Sequence, residues 1–301
     1  MKCLHPISID NPDFDEIVRV PKVLVPCGKC EECIRSNAQD WRLRLEEEHD
    51  NSISAFFLTL TYDDCHLPLE SVSDSFDNKL VVPSVSKRDI QLFFKKLRKK
   101  LSALGYTAPL RYFLVSEYGP TTLRPHYHAL IFNLPVLSKN KHLQKVKISQ
   151  IIEKVWNNGF IKVDPVTHGR ISYVTKYISC VTYLPEYYPK PFRLMSKGLG
   201  KTYLDNFELI SWHRNTCNDF VPRGTIKQRL PRYLKDKIFD DNMKAVIHER
   251  KVAYHLVQLS KLADSFPSYS DYVRYVSEQQ RVIELRHKKF QQKYVKSRKD
   301  I

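Results

Sequence analysis

The sequence predicts an α+β fold: an antiparallel sheet with helices, behind a Cys-rich N-terminal segment and ahead of a mainly helical C-terminal region. Three observations predict it. Between residues 55 and 182, short aromatic and β-branched runs alternate with apolar residues at helical spacing, in the order β, α, β, β, α, β, α. Two of these strand runs are joined by a short Gly/Pro turn, which makes them an antiparallel hairpin. From Pro231 onward only helical patterns remain. The expected divisions are 1–54, 55–182 and 183–301.

Residues 1–35 read as loop and short strand around the cysteines. Ile34–His49 reads as an amphipathic helix, with Trp41 and Leu45 one turn apart. Ala55–Tyr62 is a strand by its aromatic and β-branched content, and Asp63–Pro83 a polar loop. Ser86 can cap a helix running to Leu104, with Ile90, Phe93, Phe94, Leu97 and Leu101 on one face and Gly105 as its stop. Leu110–Ser116 and His126–Asn133 form the hairpin around the turn Tyr118–Pro125. Val146–Trp156 is a helix, Asn158-Gly159 a turn, Phe160–Val163 a strand and Gly169–Cys180 a helix. The helices are expected on one face of the sheet. After Val181 the pattern loosens, with Pro185, Pro189 and Pro191. Helices follow near Tyr233–Leu262 and Ser268–Lys296, broken at Pro267.

Charge is uneven along the chain. Residues 1–80 carry a net of −8, so the rest must carry +24 to reach the total of +16. Lys87–Lys100 has seven basic residues and one acid, and Arg281–Ile301 has eight and two. Basic stretches interspersed with aromatics suit a polyanion, because Lys and Arg displace counterions from phosphates; a solvated surface is the plainer alternative. The C-terminal tail is either a DNA grip or a charged helix end. No apolar run reaches the roughly 18 residues of a membrane span, and the first residues lack the apolar core of a signal peptide. A cytoplasmic protein with no membrane partner is therefore expected.

His126 and His128 stand two apart on a predicted strand, so both imidazoles point the same way. Glu117 ends the strand before them, and a tight turn brings its carboxylate near. Two His and a carboxylate leave open positions on a divalent ion for water and a phosphate oxygen; a solvated strand-end Glu117 is the bland alternative. Tyr173 and Tyr177 are spaced i, i+4 on a predicted helix, with Lys176 beside them. A phenol is a weak nucleophile near neutral pH, but a nearby cation that polarises a phosphodiester makes a phosphotyrosine intermediate feasible. Alone, such a tyrosine pair is more often packing.

Three segments occur in a telling order: Phe57-Leu58-Thr59-Leu60-Thr61-Tyr62, then Arg124-Pro125-His126-Tyr127-His128-Ala129-Leu130-Ile131, then Tyr173-Val174-Thr175-Lys176-Tyr177. In these the chain resembles the HUH endonucleases, and two tyrosines are similar to the replication-initiator subgroup. Cys27-Gly28-Lys29-Cys30 and Phe192-Arg193-Leu194-Met195-Ser196 resemble the initiators of small single-stranded DNA phages of the gokushovirus type. The resemblance implies a ferredoxin-like HUH nuclease domain over 55–182. It implies Mg²⁺ or Mn²⁺ on Glu117, His126 and His128. It further implies attack by one tyrosine on single-stranded origin DNA, a retained 5′ phosphate, and closure of the displaced strand by the other tyrosine. Host helicase and polymerase, in the cytoplasm of a bacterial host, are the implied partners. Tyr127 should face the opposite side of the sheet. Rival readings are a relaxase or transposase of the same superfamily, and a non-catalytic zinc-containing DNA-binding regulator.

Cys3, Cys27, Cys30 and Cys33 read either as a four-thiolate zinc site or as reduced, partly buried thiols. Gly198-Leu199-Gly200-Lys201-Thr202 mimics the end of a phosphate-binding loop, but Met195 stands where the first glycine belongs, so no nucleotide is expected. Arg193, Lys197 and Lys201 are candidate DNA-backbone contacts instead. His5, His66, His168 and His213 have no partner pattern and read as structural or solvated.

Overall fold

The structure, a computed structural model, describes residues 3–10, 21–74, 76–119, 121–179, 184–185, 187–223 and 226–296. It gives the backbone alone for Tyr177, Ser179, Pro222, Arg223, Ile226, His287 and 290–296. By contact it divides into two compact units, residues 41–202 and residues 1–40 with 203–301.

The helix α1 (Glu31–Asp50) begins in the second of these units and ends in the first. The 41–202 unit continues with β3 (Ala55–Tyr62), β4 (Leu69–Ser73), β5 (Lys79–Pro83), α2 (Lys87–Ala103), β6 (Arg111–Tyr118) and β7 (Pro125–Phe132), the smaller numbers belonging to the N-terminal hairpin described below. Then come α3 (Lys141–Glu153), β8 (Gly159–Pro165), α4 (His168–Ser179) and β9 (Arg193–Met195). Five strands form one sheet in the order β8-β3-β7-β6-β9, every pair antiparallel. The register places Thr59 opposite His128, Thr61 opposite His126, and Glu117 opposite His126.

Helices cover both faces of this sheet, not one. Phe56, Leu58 and Leu60 of β3, Leu114 of β6, and Tyr127, Ala129 and Ile131 of β7 form one core with Ile90, Phe93, Phe94, Leu97 and Leu101 of α2 and Ile148 and Ile152 of α3. Phe57, Phe113, Val115, Leu130 and Phe132 form the other with Leu45 of α1 and Ile171 and Val174 of α4. The reason is in the strands: Phe56-Phe57-Leu58, Phe113-Leu114-Val115 and Ala129 to Phe132 are apolar at consecutive positions. A strand patterned in this way needs cover on both sides.

Other departures from expectation have local causes. Residues 63–83 are not a plain loop but contain the hairpin β4–β5. Its turn is held by the Asp74 carboxylate, which accepts from the N–H of Phe76 and Asn78 at 2.8 and 2.9 Å. Helix α3 starts at Lys141 because the Asn140 side chain caps it, accepting from His142 N and Leu143 N. Strand β6 runs past Ser116 and takes in Glu117. Strand β9 lies beyond residue 182, on the edge of the sheet, where Ser116 N donates to Phe192 O at 3.0 Å. The predicted helix end Cys180 falls outside the described residues.

The glycines of 198–202 serve close packing. Arg111 donates to Gly198 O at 2.7 Å and pairs with the buried Glu48 carboxylate, which also accepts from Gly200 N at 2.8 Å. A Cβ on Gly200, at φ +71°, would stand 2.7 Å from the Arg44 carbonyl oxygen.

The other unit holds the hairpin of β1 (Ile7–Asp10) and β2 (Lys22–Val25), and the hairpin of β10 (Phe220–Arg223) and β11 (Ile226–Arg229). Its helices are α5 (Phe207–Thr216), α6 (Arg232–Ile238), α7 (Asp241–Asp264) and α8 (Tyr269–Lys296). The single helix expected near Tyr233–Leu262 is thus two, because the Asp240 side chain caps a new start by accepting from Met243 N at 2.8 Å. Leu230, Leu234, Ile238 and Phe239 are buried here, with His213 between Tyr203 and Asn218. No helix among the described residues is long and apolar enough to cross a membrane.

Candidate active site

The predicted metal ligands lie on the two central strands β6 and β7. Strand alternation sends His126 and His128 to the face covered by α1 and α4, and Tyr127 to the opposite core. Each histidine is held from β3. His126 Nδ1 lies 3.0 Å from Thr61 Oγ1, and His128 Nδ1 lies 3.1 Å from Thr59 Oγ1. The rings are thereby turned so that their Nε2 atoms face away from β3. Glu117 meets one of them, its Oε1 lying 3.1 Å from His128 Nε2. Burial holds His126 below the usual histidine pKa, with the Glu117 carboxylate opposing that shift, so the neutral, metal-competent imidazole is favoured.

The trio is open. Among the described residues, groups of three or more whose donor atoms all lie within 4.8 Å of one another are the four N-terminal cysteines and His49, Asp50 and His168. Glu117, His126 and His128 do not close to that spacing. The chemistry of the set still fits a hard or borderline divalent ion, with two nitrogens, one carboxylate and room for further ligands.

Gly119 is part of this opening. A Cβ there would stand 3.1 Å from His126 Nε2, so the residue next to the hairpin turn keeps the ligand nitrogen accessible. The turn closes through Gly119 N donating to Arg124 O at 2.9 Å; Pro120 lies outside the described residues.

Helix α4 brings Tyr173 to the histidines. Its ring meets His128 edge-on at 5.5 Å and Phe57 at 6.1 Å, while Phe57 stacks on His128 at 5.6 Å. Ile171 and Val174 are buried against the sheet, which fixes the helix face and leaves Tyr173 42% exposed. Lys176 is exposed on the same helix, one turn on. Tyr177 follows in α4, but its side chain lies outside the described residues.

Tyr127 belongs to a buried hydrogen-bonded chain. Tyr62 Oη donates to Asp89 Oδ2 at 2.8 Å and lies 3.1 Å from Tyr127 Oη, which in turn accepts from Ser86 N at 2.7 Å. Burial pushes the Tyr127 phenol up to about 12. This tyrosine is a structural one.

Sequence reasoning missed Thr59, Thr61 and the spatial role of Gly119. The threonine signal was available, since Thr-x-Thr on one strand has the same period as His-x-His on its neighbour. His168 was also misread as partnerless. It stands near His49 and Asp50, and its Nδ1 is 3.6 Å from Oε1 of the buried Glu46. The long sequence gap between α1 and α4 hid this cluster.

Comparison with known proteins agrees with this arrangement. The family model described as replication-associated protein ORF2 matches residues 55–181. The replication-associated protein ORF2 of Spiroplasma virus 4 is 30% identical, across 91% of this chain and 93% of its own length. The chain belongs to this family of replication-associated proteins. The family member VP4 of Bdellovibrio phage phiMH2K is 26% identical, across 91% of this chain and 90% of its own. ORF4 of Chlamydia phage 1, another replication-associated protein, is 28% identical over 51% of this chain and 37% of its own length. The resemblance to small-phage replication proteins therefore stands. Among solved structures, the N-terminal nuclease domain of minute virus of mice non-structural protein 1 is 9% identical. That match covers 57% of this chain and 81% of the domain, at a TM-score of 0.22, too low to support an argument.

Proposed function

We propose that this replication-associated protein is an origin-specific nickase and strand-transferase that starts rolling-circle replication of a small single-stranded DNA phage. The observation that carries the reading is the double Thr–His pairing. Two imidazoles on one strand are each oriented through Nδ1 from the next strand, with Glu117 at one Nε2 and an exposed tyrosine ring against His128. Paired outer partners of this kind are what ligating histidines require.

Glu117, His126 and His128 would hold Mg²⁺ or Mn²⁺. When bound, the ion supplies Lewis acidity at the scissile phosphate. The Tyr173 or Tyr177 oxygen attacks the phosphorus, the bond from phosphorus to the 3′ oxygen breaks, and the tyrosine proton is lost. The protein keeps the 5′ phosphate as a phosphotyrosine, and the released 3′ oxygen, once protonated, is a primer end. In the second exchange the other tyrosine attacks the regenerated origin. The freed 3′ hydroxyl then attacks the first phosphotyrosine, closing the displaced strand into a circle. Lys176 contacts a phosphate beside the nucleophile. Host helicase and polymerase supply unwinding and synthesis in the bacterial cytoplasm, with 55–182 as the nuclease domain and 1–54 and 183–301 as its flanking regions.

The test is incubation with single-stranded origin DNA and Mn²⁺, followed by denaturing electrophoresis for a covalent adduct. Wild type should form it. Tyr173→Phe with Tyr177→Phe, and separately His126→Ala with His128→Ala, should abolish it. An adduct that survives both double variants overturns the reading in favour of a non-catalytic DNA-binding role.

A further inference from the structure

We propose that Cys3, Cys27, Cys30 and Cys33 form a closed structural zinc site that fastens the β1–β2 hairpin to the first turn of α1. The four sulfurs all lie within 4.8 Å of one another. In a tetrahedral site with zinc–sulfur bonds of about 2.3 Å, neighbouring sulfurs stand about 3.8 Å apart. The Cys3 and Cys30 sulfurs are 3.8 Å apart, well beyond the roughly 2.05 Å of a disulfide.

The fold explains how so distant a residue as Cys3 joins the cluster. Ile7 pairs with Val25 across the hairpin, so the chain before β1 and the chain after β2 leave from the same end. Gly28 then takes φ +72°, the left-handed turn that returns Cys30 towards Cys27. Cys33 follows in the first turn of α1, where the helix end favours an anion.

Backbone donors are already aimed at the sulfurs. Cys27 N donates to Cys3 Sγ at 3.2 Å, and Lys29 N and Cys30 N donate to Cys27 Sγ at 3.4 and 3.3 Å. Such donors stabilise thiolates, and four thiolates this close need a cation between them.

The hairpin itself shows the need for a fastening. Every residue of β1 is exposed, and β2 alternates only between exposed and half-buried. A two-stranded hairpin with no buried face is marginal in water, and metal ligation is a standard substitute for a core. All four ligands come from the chain, so no position is left for substrate, and the site is structural. It is independent of the catalytic proposal.

The test uses the full chain, purified reduced and without chelator, with metal measured by elemental mass spectrometry. One tightly held zinc per chain is expected. It should persist in His126→Ala with His128→Ala and in Cys65→Ser with Cys217→Ser, and disappear in Cys27→Ser with Cys30→Ser. Cobalt exchanged into wild type should give the spectrum of tetrahedral thiolate ligation. Because the cysteine variant can lose fold and metal together, wild type is also titrated with a mercurial thiol reagent, which should release zinc as the four thiols react. A wild-type protein that binds no zinc, zinc that follows the histidines instead, or a disulfide among these cysteines overturns the proposal.

Discussion

Tyr127→Phe separates the two jobs of the His-Tyr-His strand. The phenol oxygen accepts from Ser86 N at 2.7 Å, and Ser86 is the cap of α2. Tyr62 keeps Asp89 as its acceptor when Tyr127 loses its oxygen, so it is not orphaned. Ser86 N–H loses its partner at a half-buried position. Leaving one such donor unsatisfied costs about 1–3 kcal/mol. At roughly 2–4 °C per kcal/mol for a unit of this size, Tm falls by roughly 2–12 °C. The phenol lies on the α2 side of the sheet, away from His126 and His128, so adduct formation well below Tm should be unchanged. Thermal unfolding followed by near-UV circular dichroism, beside the adduct assay at low temperature, reads both quantities. An unchanged Tm would refute the hydrogen-bonded chain. Lost adduct in a folded variant would refute the assignment of Tyr127 to structure.

Three further outcomes are expected. Replacing Thr59 and Thr61 together by Val removes both Nδ1 partners and should weaken Mn²⁺ binding by about 10–100-fold by calorimetry, with adduct formation recovering at saturating Mn²⁺; no change in affinity would argue against their positioning role. Gly119→Ala, whose methyl would sit 3.1 Å from His126 Nε2, should weaken the same ion while leaving Tm within about 1 kcal/mol of wild type; unaltered Mn²⁺ affinity would count against it. His213 is buried, and burial holds its pKa below the usual 6.5, so the unfolded chain takes up its proton at higher pH than the folded one. Its stabilising contribution is complete above the unfolded pKa and is lost as pH falls below it, by at most about 1.4 kcal/mol per pH unit. Urea unfolding between pH 7.5 and 5.5 should show that slope, and it should flatten in His213→Asn; an equal slope in both would exclude His213 as its source.

Much of the central sheet was readable because it depends on local rules. Ser86 and Gly105 bracket α2, and the Gly119 turn demands an antiparallel pair. The His-x-His period then fixes which face carries ligands. What escaped depends on tertiary context. Apolar residues on both faces of β3, β6 and β7 told of two helical layers, but periodicity alone does not assign a helix to a face. Strand β9 is too short to signal itself and exists because Ser116 bonds to both N and O of Phe192. Thr59 and Thr61 looked like ordinary strand formers until the register set them opposite the histidines. His168 had no visible partner because its neighbours come from another helix far back in the chain.

Strand β7 is bonded on both sides, to β3 and to β6, and carries two of the three ligands of the proposed catalytic ion. Its amides should therefore exchange with solvent only when the whole 41–202 unit opens. The ligands then keep their positions whether or not an ion is present, and the ion can leave and return between rounds without refolding. The N-terminal cysteines stand at the other extreme, on a hairpin that buries almost nothing. A chelator should thus act on this molecule in two ways, silencing the sheet site while leaving its order intact, and loosening the hairpin outright.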